Sequence, residues 1–370
     1  MKKNNFDLDE FIIISSSCKI TKGKKRSLIV DYLRKELYFI PNDYYELLSN
    51  IDRKTIKYAF NYVNKDNHDD LVNFINYLIE NEIIFLNKNL DLFPVISNEL
   101  EENYYLRDAI IEIEDNQSSF EVFVKTINQL QDLGCNDLQI RFPLKISTNF
   151  ILMILDEIDK KNINYVELHI NFNENINEDF LLGLIEKYSV VSHIFVYGFS
   201  CDKIVTHKIK KKDYYPLLLG NIYYIKDTFD NGNGCGKINK ESLEFNSIYR
   251  YNELKKRNGC LFKKVTIDKC GNIKNCPLMS MSYGNIKNDQ IKDIIKLPSF
   301  LFLGNIKKDD IDVCKECEFR YACSDCRAFI QNYNNIYSKP LKCGYNPDTC
   351  TWEEWSDNPL KNIGGLKIVK

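Results

Sequence analysis

Four cysteines stand close together in the stretch VCKECEFRYACSDCRAF, which covers residues 313–329. Cys314 and Cys317 form one C-x2-C pair, and Cys323 and Cys326 form a second pair after five intervening residues. Such a pair suits metal binding because its two sulfurs converge in one tight turn, whose amides can also hydrogen-bond to thiolate sulfur. One zinc ion on all four thiolates is conceivable, although the five-residue connection between the pairs is short.

Most of the other cysteines lie in the same part of the chain. Of the 13 cysteines, ten lie between Cys235 and Cys350. Eight of these are candidate ligands, enough for two sites of four: Cys235, Cys260, Cys276, Cys314, Cys317, Cys323, Cys326 and Cys343. Isolated cysteines are usually ordinary buried or surface thiols, and this is the expectation for Cys18, Cys135, Cys201 and Cys350.

Composition limits the class of protein that carries these cysteines. A chain of 370 residues with 44% hydrophobic and 28% charged residues is typical of a soluble protein with two or three domains. The net charge of −2 gives no reason to expect nucleic acid or an acidic membrane as partner. We find no secretory signal and no run of about 18 apolar residues that would span a membrane. The sequence therefore predicts a cytoplasmic protein, where thiols are reduced and clustered cysteines indicate metals or redox chemistry.

The first 95 residues alternate between strand and helix patterns. KRSLIVDYL and ELYFIP predict paired strands within residues 26–40, joined by the short turn RKE. PNDYYELLSN and HDDLVNFINYLIEN predict helices, and IIFL predicts a further strand. These elements indicate a small winged-helix-like module over residues 1–95, followed by a polar linker that ends near Glu102.

Residues 105–230 have a different rhythm. DAIIEIED, NDLQIRF, NYVELHINF, HIFVYGF and NIYYIKD predict strands, and long helical stretches lie between the first four. Such alternation predicts a parallel sheet with crossover helices, an α/β sheet or partial (β/α) barrel. The four histidines do not cluster in the sequence, and surface or core positions are expected for His68, His169, His193 and His207.

The cysteine spacing carries a family resemblance. The pattern C-x10-G-x4-C, then C-x2-C-x5-C with a further nearby cysteine, then a last cysteine, resembles the SPASM domain of peptide-modifying radical S-adenosylmethionine enzymes. More narrowly, GNIKNCPLMSMSYGNI, CEFRYACSDCRAF and KCGYNPDTCTWEEW resemble the SPASM-domain protein of grasp-with-spasm systems. The resemblance implies a SPASM domain over residues 231–370 with two auxiliary [4Fe–4S] clusters. It also implies two partners, a precursor peptide with a leader and an ATP-grasp ligase, in the making of a ribosomally synthesised, modified peptide.

The resemblance also implies a division of the ligands. One cluster would be held by Cys314, Cys317, Cys323 and Cys343. The other would be held by Cys260, Cys276, Cys326 and a fourth ligand, Cys235, with Cys270 as the alternative. The chain departs from the family pattern in two places, since ELKKRNG precedes Cys260 without the usual cysteine and the quartet ends in C-S-D-C. Zinc remains the alternative metal, because thiolate ligands suit both.

The radical-generating motif of such enzymes is missing. They need C-x3-C-x2-C after the first barrel strand, but EDNQSSFEV at that place contains no cysteine. A Gly-Gly-Glu is also missing after the second strand, where the sequence is IRFPLKI. We therefore interpret residues 105–230 as a degenerate radical-enzyme barrel, with an unrelated βα domain as the alternative, and expect no autonomous radical chemistry.

The N-terminal module resembles a recognition element that binds precursor leader peptides. Such a module pairs an extended leader with an exposed strand edge; a capping subdomain without a ligand is the alternative. Three functions stay open: an accessory protein that presents the peptide to the ligase, a redox enzyme that uses its clusters on the peptide, and a non-enzymatic zinc-stabilised interaction protein.

Overall fold

The computed structural model describes residues 6–95, 105–209, 217–229 and 235–353. The predicted end of the linker near Glu102 lies outside these residues, as do most of the residues just before Cys235. The described part is a mixed α/β fold with one large, mostly parallel sheet. No helix in it is long and apolar enough to cross a membrane.

The N-terminal module contains five strands and three helices in its described part. They are β1 (Phe11–Ile14), β2 (Cys18–Lys22), β3 (Arg26–Asp31), β4 (Glu36–Pro41), α1 (Asn42–Ile51), α2 (Ile56–Tyr62), α3 (His68–Glu80) and β5 (Ile84–Asn87). The two strands predicted in residues 26–40 pair antiparallel as β3 and β4, with Arg26 opposite Pro41. The helices predicted from the sequence are α1 and α3, whereas β1, β2 and α2 were not predicted. A winged-helix class for this module remains a prediction.

The three-stranded sheet β2–β3–β4 is covered on both faces. Ile29 and Ile40 point into a core shared with the helices, where they join Leu48 and Leu78. Leu28 and Val30, which alternate with Ile29 along β3, belong to a second apolar cluster that includes Phe319 and Tyr345. Because successive side chains of a strand point to opposite faces, β3 links the helices of this module to the cysteine-rich segment.

The middle of the chain forms the predicted strand–helix alternation. Its elements are β6 (Asp108–Glu112), α4 (Gln117–Asp132), β7 (Asp137–Phe142), α5 (Thr148–Ile158), β8 (Tyr165–Asn171), α6 (Glu178–Lys187), β9 (Val191–Tyr197), β10 (Lys203–Ile209) and β11 (Leu217–Ile225). The strands β6, β7, β8, β9 and β11 are parallel neighbours in that order. The antiparallel edge strand β10 was not predicted.

Local sequence explains where the crossover helices begin and which sheet face they cover. Asn116, Ser147 and Asn177 accept hydrogen bonds at the N-termini of α4, α5 and α6, as N-cap residues do. In β7, Leu138 and Ile140 are buried in the core beneath these helices. The residues that alternate with them point to the opposite face of the sheet, which we call the open face.

The cysteine-rich segment continues the same sheet. Its elements are α7 (Ile248–Lys256), β12 (Lys264–Ile267), β13 (Asn272–Lys274), β14 (Gly284–Asn285), α8 (Ile291–Ile294), α9 (Pro298–Asn305), β15 (Tyr345–Asn346) and β16 (Thr351–Trp352). Strand β12 pairs parallel with β6, and β13 and β14 extend the sheet to nine strands in the described residues. The rest of the segment consists mainly of turns that carry the cysteines. The domain boundaries given above remain predictions.

Candidate metal centres

The first thiol group consists of Cys235, Cys260, Cys276 and Cys326. Burial raises the pKa of Cys276 to about 12, and the charges of Cys260 and Cys235 add to the effect. Burial also raises the pKa of Cys326, with contributions from the same two thiols. All four lie in or against one apolar cluster that includes Leu278, and Cys314 belongs to the same cluster. Residues from four separate turns, spread over more than ninety positions of sequence, therefore come together.

Gly236 makes room for this group. It has a φ of +74°, and a Cβ at its position would stand 2.8 Å from the Sγ atom of Cys326. Only glycine adopts such a backbone conformation readily. The backbone at Gly236, next to Cys235, therefore packs closely against Cys326, while the alternative ligand Cys270 is exposed in the turn between β12 and β13.

The second thiol group consists of Cys314, Cys317, Cys323 and Cys343. Burial and the charge of Cys343 together raise the pKa of Cys314 to about 11, against a lowering by Lys308. Burial likewise raises the pKa of Cys323 to about 12, against a lowering by Lys308, and the charges of Cys343 and Cys314 add to the increase. The pKa of Cys317 is raised by burial and by Cys314 and Cys323.

Two cysteines of the quartet in residues 314–326 are affected by different thiols. Besides burial, the charges of Cys343 and Cys314 raise the pKa of Cys323, and those of Cys260 and Cys235 raise the pKa of Cys326. The assignment of the eight cysteines to two clusters stays a prediction.

The donor chemistry of each group fits the implied metal. In the described parts of the chain, no group of three or more His, Cys, Asp or Glu side chains is arranged to hold one metal ion. Each thiol group nevertheless contains four cysteines, two buried and two partly buried, and four thiolates are the ligand set used by [4Fe–4S] clusters and also by structural zinc. Of the cysteines predicted to be ordinary thiols, Cys18 and Cys135 are buried and Cys201 is exposed.

A buried polar network lies between the two groups. The side chain of Asp325, placed between Cys323 and Cys326 in the sequence, accepts hydrogen bonds from Arg327 Nη2 at 2.8 Å and from Asn258 Nδ2 at 2.7 Å. The Nζ atom of Lys308 lies 3.5 Å from Asp325 Oδ1 and 3.6 Å from Cys323 Sγ. Burial lowers the pKa of Lys308, but the charges of Cys323, Cys314 and Asp325 outweigh it and raise the pKa overall.

The open face of the sheet carries a second polar network that sequence reasoning missed. Arg141 Nε donates to Gln139 Oε1 at 2.6 Å, and Gln139 in turn donates to Glu167. Glu167 also pairs with His169, whose Nδ1 lies 2.9 Å from the hydroxyl of Tyr197. Polar residues on alternate positions of β7 and β8 were the available signal, because strands buried on both faces are usually apolar throughout.

Electrostatics connect this network to the first thiol group. The positive charge of Arg141 lowers the pKa of both Cys235 and Cys276, opposing the dominant effect of burial. Burial lowers the pKa of His169, which keeps the imidazole neutral. Burial alone would raise the pKa of Glu167, but hydrogen bonds from His169 and Gln139 outweigh it. The network thus holds a carboxylate beside a neutral imidazole.

The N-terminal module makes hydrogen bonds to the segment between Cys314 and Cys323, which carries most of the second thiol group. The backbone N–H of Lys24 donates to the carbonyl of Glu316 at 2.7 Å, and Arg320 donates to the carbonyl of Lys22. Arg26 donates from Nε to Glu318 Oε1 at 2.8 Å. Three contacts therefore reach the segment between Cys314 and Cys323 from one sheet.

The outer edge of that sheet is accessible. Within the described residues β4 pairs only with β3, so its other edge presents backbone donors and acceptors. Tyr38 on β4 meets Tyr77 on α3 edge to face, with ring centroids 6.4 Å apart. Tyr77 is exposed, as is Phe39 on the opposite face of β4.

Comparison with known proteins identifies no family for this chain. No protein-family model matches the chain, and no curated protein matches it. The crystal structure of Streptococcus suis SuiB bound to S-adenosylmethionine is 11% identical, with a TM-score of 0.33, over 86% of this chain and 96% of SuiB. The structure of SuiB bound to the precursor peptide SuiA gives the same identity, TM-score and coverage. This likeness is too weak to assign a function.

Proposed function

We propose that the chain is a SPASM-domain protein of a ribosomally synthesised peptide maturation system, with two auxiliary [4Fe–4S] clusters. The observation that supports the proposal is that the charges of Cys235 and Cys260 act on Cys276 and Cys326, whereas those of Cys314 and Cys343 act on Cys323. The cysteine spacing and the phrases that resemble the SPASM-domain proteins supply the class.

The two thiol groups would hold one cluster each. When bound, such clusters can accept and release single electrons and also fix the turns that ligate them. Metal binding requires the thiols to lose their protons, and burial has raised the pKa of most of them. Loading is therefore expected to release protons and to order the cysteine-rich segment.

The N-terminal module would bind the leader of the precursor peptide. An extended peptide gains backbone hydrogen bonds by adding to an exposed sheet edge, and side-chain pockets read alternate residues. The free edge of β4 meets this requirement, and the rings of Tyr38 and Tyr77 lie beside it. In this accessory role the chain would present the bound peptide to an ATP-grasp ligase, the partner that the family resemblance implies.

Metal analysis of anaerobically purified protein tests the proposal. About eight iron atoms per chain and a brown colour are expected for two four-iron clusters. Two zinc ions and a colourless sample would instead favour a zinc-stabilised interaction protein, and absence of both metals would refute the metal assignment.

Binding of the leader peptide is measured separately with the metal-free protein and with the protein that contains its clusters. Tyr38→Ala should weaken binding of the leader peptide by about tenfold, as truncation of an interface aromatic often does. Tyr62→Ala, which removes an exposed ring on α2, is the matched control. Failure of the wild-type protein to bind the leader and to co-purify with the ligase would exclude the accessory role.

A second candidate function is redox modification of the peptide by this chain itself. It is favoured by the network of Arg141, Gln139, Glu167, His169 and Tyr197 on the open face, whose arginine acts on the first thiol group. Neutral His169, hydrogen-bonded to Glu167, could accept a proton there. Reduced, reconstituted protein would then change the mass of its peptide, and His169→Gln would abolish the change. An unchanged peptide, with or without S-adenosylmethionine, would exclude this candidate.

A further inference from the structure

Lys308 is a buried cation whose surroundings are fixed by the protein. Only 3% of the residue is exposed. Its Nζ atom lies 3.6 Å from Cys323 Sγ and 3.5 Å from Asp325 Oδ1. A buried ammonium is costly unless it is paired and hydrogen-bonded. The Asp325 carboxylate supplies that pair, so the position of the ammonium against the sulfur is determined.

Asp325 is itself held from two further directions. Arg327 Nη2 donates to Oδ1 at 2.8 Å, and Asn258 Nδ2 donates to Oδ2 at 2.7 Å. Asn258 also accepts a hydrogen bond from the backbone N–H of Cys260 at 3.0 Å. The carboxylate is therefore anchored to a turn of the first thiol group while it positions a cation at the second.

A cation at this place would act on a cluster held by the second thiol group. Reduction adds negative charge to an iron–sulfur cluster, and a nearby positive charge or a hydrogen bond to a ligating sulfur stabilises the reduced form. The ammonium of Lys308 supplies the positive charge, and it can also donate a hydrogen bond to Cys323 Sγ. The negative charge of Asp325 partly offsets the effect of the positive charge on the cluster.

We propose that Lys308 is a positioning residue that raises the reduction potential of the second cluster, with Asp325 holding its ammonium against Cys323. The proposal rests on the proposed function, since it requires a cluster at the second thiol group. It concerns only how the protein tunes that cluster. The metal itself is tested independently by the iron content of the wild-type protein.

The experiment is a redox titration of the reconstituted protein under anaerobic conditions, followed by electron paramagnetic resonance. Lys308→Met should move one of the two midpoint potentials to a more negative value and leave the other in place. Lys308→Arg should largely restore the wild-type value. Lys307→Met, which removes the charge of the half-buried neighbouring lysine, should leave both midpoints unchanged. Repeating the titration in a Cys276→Ala background identifies the shifted cluster as the second one.

A polar variant without charge provides a second test. Lys308→Gln keeps a side-chain hydrogen-bond donor but removes the charge, so the same midpoint should move to a more negative value by no more than in Lys308→Met. This variant also provides the test if Lys308→Met fails to take up iron. Unchanged midpoints in a fully loaded variant at this position, or shifts of opposite sign in the two variants, would overturn the inference. Absence of iron from wild-type protein would instead overturn the proposed function.

Discussion

Arg26 on β3 and Glu318 in the cysteine-rich segment form an ion pair across 292 positions of sequence. The Nε and Oε1 atoms are 2.8 Å apart, and the Glu318 side chain is 1% exposed. The hydroxyl of Tyr345 donates to the same carboxylate. Glu318 directly follows Cys317, so the pair connects the N-terminal sheet to the turn that carries the second thiol group.

Removal of the arginine should destabilise the protein. Arg26→Met leaves the buried Glu318 carboxylate without its cation, and a lost hydrogen bond to a charged group costs about 1–3 kcal/mol. The free energy of unfolding, measured by anaerobic chemical denaturation of the metal-loaded protein, should fall by about that amount. Lys25→Met removes a neighbouring exposed charge and serves as the control. Equal losses in the two variants would contradict the role of the pair.

The division of the cysteines predicts partial loss of metal. Cys317→Ala removes one ligand of the second thiol group, so iron content should fall to about half, because the first cluster has its own four ligands. Cys201→Ala, which changes an exposed isolated thiol, should leave the iron content unchanged. Loss of all iron from the Cys317→Ala protein would show that the eight thiols do not form two independent sites.

Gly236→Ala should affect the other cluster. The added methyl group would stand 2.8 Å from Cys326 Sγ, at a backbone φ of +74° that alanine adopts with strain. Iron content should fall to about half, with the second cluster retained in the spectrum. Gly183→Ala in α6 is the matched control, since a Cβ there meets nothing within 4 Å. A fully loaded Gly236→Ala protein would show that Cys235 does not depend on this close approach.

The carboxylate of Asp31 should make the stability of the protein depend on pH. Burial would raise its pKa, but hydrogen bonds from the Arg34 side chain and from the backbone N–H groups of Arg34 and Leu33 lower it overall. Because the folded-state pKa lies below the unfolded value of about 3.9, the carboxylate stabilises the fold above that pH. This contribution disappears as the pH falls through the folded-state pKa.

Asp31→Asn should therefore lower the free energy of unfolding at pH 7 by about 1–3 kcal/mol. The difference from wild type should shrink below pH of about 4. Denaturation curves at several pH values measure both effects, with Asp66→Asn at an exposed position as the control. A difference that stays constant down to acidic pH would contradict the contribution of the carboxylate.

The sequence predicted helices and strands correctly where hydrophobic periodicity was strong. The strands β6, β7, β8 and β9 each bury apolar residues on the helix-covered face and alternate with amphipathic helices, and this alternation has few alternatives to a parallel sheet. The antiparallel strand β10 was missed. Its residues, KIVTHKI, have no long apolar run, and it is defined by pairing with β11 rather than by its own pattern.

The family resemblance predicts a division of the cysteine quartet, which remains a prediction, but it does not predict the side chains that surround these cysteines. The polar network of Glu167, His169 and Tyr197 depends on the register between β8 and β9, which places His169 opposite Phe195. The contact of Lys308 with Cys323 depends on a turn fifteen residues away. Such contacts follow from tertiary packing, which local propensity and spacing do not encode.

The sheet β2–β3–β4 packs apolar residues on both of its faces, and this limits where the chain can be cut into fragments that fold on their own. Phe319, Tyr345 and Trp352 pack together beside Leu28 and Val30. A fragment that begins at residue 105 would leave this aromatic surface in water, and large exposed apolar patches promote association. The opening strands and the last described turns of the chain are thus expected to fold and unfold as one cooperative unit, despite their distance in sequence.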